Sequence, residues 1–198
     1  LLMFQLLSTL LLWFYSTHFK KQLLIGNIVV SLLTATIPLM PMVYEYYLIG
    51  GISSLTSFLI GDFIKTLVII VLGYSAFAFL TSFAREVIKD MEDYKGDIQT
   101  GCKTMPIVWG MITSKVVTFF LIVITIGLLF LASFKFYKEQ QLIAVYYILG
   151  LVVLPLIILL FQTMRAKTSK DFKMASLLLK FTMLFGISFT VIIKYLYE

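Results

Sequence analysis

Charge is scarce in this sequence. Asp, Glu, Lys and Arg make up 13% of its 198 residues, against 61% hydrophobic. With a mean hydropathy of +1.02, that balance reads as an integral membrane protein. Cysteine is nearly missing too: Cys102 stands alone, which excludes an intrachain disulfide and any metal site made of several cysteines. No Ser/Pro/Gly-rich linker, low-complexity segment or internal repeat divides the chain. The expectation is one membrane-embedded domain over residues 1–198, all-α, a polytopic transmembrane helical bundle.

What is abundant is apolar sequence. A helical span needs about 20 mostly apolar residues to cross a bilayer core. Five stretches fit: Leu23–Val43, Thr66–Ala84, Val116–Phe134, Leu142–Thr163 and Ala175–Ile193. A sixth, Leu1–Tyr15, would reach only about 22 Å at 1.5 Å per residue. It has neither an initiator Met nor a basic flank, so it reads as the back half of a helix, with N-terminal helices missing from the sequence. Pro38, Pro41 and Pro155 predict kinks. Aromatic residues at the span ends match an interfacial belt.

The net charge of +6 is topology information. Six alternating spans put three loops on one side. These carry Lys20 and Lys21; Arg85, Lys89, Lys95, Lys103 and Lys115; and Arg165, Lys167, Lys170 and Lys173. By the positive-inside rule that side is cytoplasmic, and the basic residues imply no nucleic acid. Lys180 lies inside the last span, where it either snorkels to the headgroups or faces the polar mouth of a cavity. His18 reads as an interfacial residue without catalysis. The Arg165–Lys173 cluster suits either a positive-inside loop or an anionic acceptor or lipid headgroup.

Half of the ten acidic residues crowd into "REVIKDMEDYKGD", Arg85 to Asp97. On a helix, Glu86, Asp90, Asp93 and Asp97 fall within an arc of about 60°. The neighbouring cations Arg85, Lys89 and Lys95 point away from that arc. Four stacked carboxylates repel unless positive charge lies between them. Asp93 and Asp97, one turn apart, suit a hard cation with oxygen ligands. Magnesium takes one or two carboxylates and completes its shell with phosphate and water.

The stretch "REVIKDMEDYKGDIQTGCKTMPIVWG", Arg85 to Gly110, resembles the second aspartate-rich motif of the UbiA-type prenyltransferases. The likeness continues through Gly101, Thr104 and Pro106. Within that superfamily it is most similar to the geranylgeranylglycerol-phosphate geranylgeranyltransferase branch. A second likeness, "YSTHFKKQLLIGNIVVSLLTATIP", resembles the family's loop after the fourth membrane helix, with a tyrosine and a diphosphate-binding lysine. The spacing departs from the common Y-x-x-x-K, so either Lys20 or Lys21 fills that place.

The resemblance implies helices four to nine of a nine-helix fold, with the first aspartate motif upstream of Leu1. It implies a magnesium-dependent transferase that takes a prenyl diphosphate donor and a lipid-like or aromatic acceptor among membrane lipids. The chain alone would hold half a metal site and be inactive. Asp90, Asp93 and Asp97 become the metal and catalytic residues; Tyr15, Lys20, Lys21, Asn27, Arg85 and Lys89 become substrate-binding. Arg85 has Glu86 as an alternative partner, and Lys89 has Asp93. Transfer to an aromatic acceptor of quinone biosynthesis is one rival. A cation transporter subunit is another, although it should carry ionisable groups near mid-membrane.

Overall fold

The computed structural model describes residues 2–17, 23–48 and 62–197. Every regular element among them is helical, in keeping with an all-α membrane bundle. Helices α1 (Leu2–Thr17), α2 (Ile25–Thr36) and α3 (Leu39–Leu48) precede the long α4 (Asp62–Glu92). Two short helices follow, α5 (Tyr94–Gln99) and α6 (Met105–Val108), and then α7 (Met111–Lys138). Next come α8 (Leu142–Tyr147), a π-helical segment (Ile148–Val153) and α9 (Leu154–Arg165), which run as one span. The last helix is α10 (Ser169–Tyr197).

Among the described residues, four helices are long and apolar enough to cross a membrane: Lys65–Glu92, Met111–Lys138, Leu142–Arg165 and Ser169–Leu196. They contain four of the expected spans. The expected span Leu23–Val43 differs, because it breaks into α2 and α3 at Ile37–Pro38. Pro38 has no N–H to continue the ladder, and the Ile37 N–H tightens back onto the Thr34 carbonyl at 3.2 Å. Pro155 acts differently. Just upstream of it the Leu154 N–H reaches the Leu149 carbonyl, one residue beyond the α-helical partner, so the kink is absorbed as a π-bulge.

Helix α4 is the hub, packing against α2, α7 and α10. Its Ala84, Val87, Ile88 and Met91 are buried in one core with Ile122, Leu156, Leu159, Phe172 and Leu179. A second cluster joins Phe136, Ala144, Ile148, Val153 and Phe189. The hydroxyls in these apolar helices turn inward on their own backbone. Ser31, Ser114, Thr118, Thr125, Ser133 and Thr182 each donate to the carbonyl four residues back. A hydroxyl satisfied this way costs little where no water reaches it.

Two side chains tie the basic loops into one end of the bundle. Lys115 Nζ donates to the carbonyls of Met164 (3.2 Å) and Ala166 (2.6 Å), closing the C-terminus of α9. Ser169 Oγ donates to the Glu92 carbonyl at 2.9 Å, joining the start of α10 to the end of α4. The turn between α9 and α10 is held by Asp171, whose Oδ2 accepts from the Lys167 and Thr168 backbone N–H groups. The acidic stretch and the Arg165–Lys173 loop thereby share one end.

Candidate active site

The acidic face is built on the last turns of α4. Helix α4 ends at Glu92 and the chain bends at Asp93, so the helix expected to run through Asp97 is interrupted there. The i to i−4 hydrogen bonds survive the bend: Asp93 N–H to the Lys89 carbonyl (2.9 Å) and Asp97 N–H to the Asp93 carbonyl (3.0 Å). Helical spacing of the acids is therefore kept.

Burial differs among the four acids of the face. Glu86 is buried, Asp90 and Asp97 are intermediate, and Asp93 is exposed. The two deeper acids have partners. Arg85 Nη1 lies 2.8 Å from Glu86 Oε1, the pairing that the sequence left open as Arg85's alternative. Asn27 Nδ2 donates to Asp90 Oδ2 at 2.7 Å, from α2 across to α4. Asn27 thus stands against a carboxylate in this structure. The distribution answers the repulsion problem at its buried end: a guanidinium meets Glu86 and an amide meets Asp90.

A cavity of about 940 Å³ opens beside this face. Glu86, Asp90, Asp93 and Asp97 all line it, and so do Lys89, Lys95 and Lys167. Among the described residues no ion pair joins Lys89 to Asp93, the alternative that the spacing had offered. The cavity therefore presents carboxylates and ammonium groups side by side. A metal–phosphate complex, with cation and anion in one ligand, matches that mixture. The lining also includes Thr168, Ser169 and Phe172 of the α9–α10 turn, which sequence periodicity alone did not place here.

Among the described residues, no three acidic, histidine or cysteine side chains stand close enough to hold a metal by themselves. The carboxylates of the face are hard oxygen donors, and magnesium asks a protein for only one or two. Asp93 and Asp97 fit that demand as a partial set. Lys20, Lys21 and His18 lie outside the described residues, and Tyr15 is in the last turn of α1. Lys180 is exposed on α10.

The exit from the acidic segment is a Schellman turn. The Cys102 N–H bonds the Asp97 carbonyl at 2.9 Å and the Gly101 N–H bonds Ile98 at 3.2 Å, with Gly101 at φ +71°. A side chain is strained in that conformation whatever space surrounds it. Gly101→Ala is expected to cost about 1–2 kcal/mol, read as a lowered melting temperature in detergent.

The profile of the UbiA prenyltransferase family matches residues 1–186. The chain belongs to the UbiA prenyltransferase family. Similar proteins include the digeranylgeranylglyceryl phosphate synthase of Thermococcus sibiricus, 37% identical over 113 residues, covering 57% of this chain and 33% of that protein. The enzyme of the same name from Thermococcus gammatolerans is 32% identical over 179 residues, 89% of this chain and 55% of its own length. A third, from Sulfurisphaera tokodaii, is 29% identical over 161 residues, 81% of this chain and 49% of that protein. The chain thus spans about half or less of these UbiA relatives. No solved structure matches it. Family membership removes the support for the transporter reading.

Proposed function

We propose that the protein is a membrane prenyltransferase of ether-lipid synthesis, moving a geranylgeranyl-type chain from its diphosphate to the free hydroxyl of a prenylglyceryl phosphate. The observation that carries this reading is the cavity lined by both Asp90, Asp93 and Asp97 and Lys89, Lys95 and Lys167. Its support from outside the chain is the shared name of the similar archaeal proteins.

The residues divide the work by charge and depth. Asp93 and Asp97 would hold magnesium; Asp90, one helical turn before Asp93, is held by Asn27. When bound, magnesium neutralises negative charge on the departing diphosphate. Lys89, Lys95 and Lys167 offer further positive charge to phosphate oxygens at the cavity wall. Lys20 or Lys21 is assigned to the diphosphate on the resemblance of its loop. The allylic C–O bond breaks as the diphosphate leaves with the bonding electrons. The acceptor oxygen then attacks the allylic carbon and passes its proton to the released diphosphate. Apolar helices beneath the acidic face exclude water while the carbon is electron-deficient. By its positive loops, this end faces the cytoplasm.

The full-length enzyme should be given geranylgeranyl diphosphate with magnesium and, in separate reactions, geranylgeranylglyceryl phosphate, homogentisate or dihydroxynaphthoate. The expected result is an ether product from the glyceryl phosphate alone. Product from an aromatic acceptor and none from the glyceryl phosphate would assign the protein to quinone biosynthesis.

A further inference from the structure

The hydroxyl of Thr104 departs from the back-bonding of Thr118, Thr125 and Thr182. Thr104 is 5% exposed and lines the acidic cavity, yet its buried Oγ1 has no hydrogen-bond partner. The local sequence explains why. Thr104 is the N-cap of α6, with extended backbone at φ −75°, ψ 162°, so it has no helical turn behind it whose carbonyl it could reach. An N-cap threonine ordinarily accepts a hydrogen bond from the second or third N–H of its helix. Here the second position is Pro106, which has no N–H. The third N–H, of Ile107, goes to the Thr104 backbone carbonyl at 3.1 Å. Thr-x-Pro at a helix start therefore leaves the hydroxyl unused by construction.

A buried hydroxyl without a partner is destabilising. Its place in the wall that also carries Asp97 and Lys167 supplies a reason for the cost. We propose that Thr104 Oγ1 is a binding group for the donor, giving its proton in a hydrogen bond to a diphosphate oxygen. The assignment rests on the prenyl-transfer reading above. It concerns the side-chain hydroxyl only, since α6 is a single turn of four residues. An anionic oxygen is the matching partner: the O–H lacks an acceptor, and the cavity it lines also carries the ammonium groups of Lys89, Lys95 and Lys167. The other buried hydroxyl without a partner among the described residues, that of Thr163 in α9, does not line the cavity and serves as the control.

The prediction has two parts of opposite sign. Thr104→Val keeps the shape and removes an unsatisfied polar group, so the ligand-free enzyme should melt at or above the wild-type temperature. The same change should weaken binding of inorganic diphosphate by about tenfold or more, the loss expected for a hydrogen bond to a charged group. Thr104→Ser should bind within about threefold of wild type, because it restores the donor. Thr163→Val should leave binding unchanged.

The measurement is calorimetric titration of full-length enzyme with inorganic diphosphate in the presence of magnesium, beside thermal melts without ligand. Should Thr104→Val fail to fold, Thr104→Ala takes its place in the titration. Equal diphosphate affinity in wild type and Thr104→Val, or an equal loss in Thr163→Val, overturns the assignment. If wild type binds no inorganic diphosphate, the prenyl-transfer reading fails and this assignment with it.

Discussion

Asp93→Asn and Asp97→Asn, made separately in the full-length enzyme, should each lower prenyl transfer by about 10³-fold. Membrane insertion and thermal stability should change little. The size follows from the work assigned to these carboxylates. Two carboxylates of the acidic face would repel the diphosphate unless a cation sat between them. An amide keeps the shape but supplies no charge to hold that cation. Stability is a separate matter, because Asp93 is exposed and the core lies deeper, around Val87, Ile88 and Met91. Binding of geranylgeranyl diphosphate should depend on magnesium in wild type and lose most of that dependence in either variant. Asp93→Asn with undiminished transfer in purified full-length enzyme would remove this residue from the metal site.

Much of this site is legible from spacing alone. The period of Glu86, Asp90, Asp93 and Asp97 puts the carboxylates on one face, and all four line the cavity. The long apolar runs likewise mark α4, α7, the α8–α9 span and α10, because a bilayer permits few alternatives to a helix. Where the sequence misleads, a local rule is decided by tertiary context. Pro38 and Pro155 both predict kinks; one divides a span in two, whereas the other leaves a span continuous through a π-bulge. Which of the two occurs depends on where the freed carbonyls find partners, and periodicity is silent on that. The closure of the cavity is also hidden. Ser169 meets the Glu92 carbonyl across 77 positions, and Lys115 reaches Ala166 across 51. Such contacts obey no sequence period.

The Asn27–Asp90 hydrogen bond is another long-range contact, 63 positions apart, and it carries the second large expected effect. The resemblance had assigned Asn27 to substrate. In the structure its amide holds Asp90, and it does so from α2, just after the segment that contains Lys20 and Lys21. One bond therefore links the acidic face to the helix that follows the expected diphosphate lysines. Asn27→Leu keeps the approximate volume but leaves a half-buried carboxylate without its donor, a loss of about 1.5–3 kcal/mol for a hydrogen bond to a charged group. Transfer by the full-length enzyme should fall by about 10–100-fold. The discriminating measurement is a double-mutant cycle with Asp90→Asn. If Asn27 works through Asp90, the double variant should be little worse than Asp90→Asn alone. Its apparent magnesium affinity should also match that of the Asp90 variant. Full additivity of the two losses, with magnesium affinity unchanged in Asn27→Leu, would instead return Asn27 to direct contact with substrate.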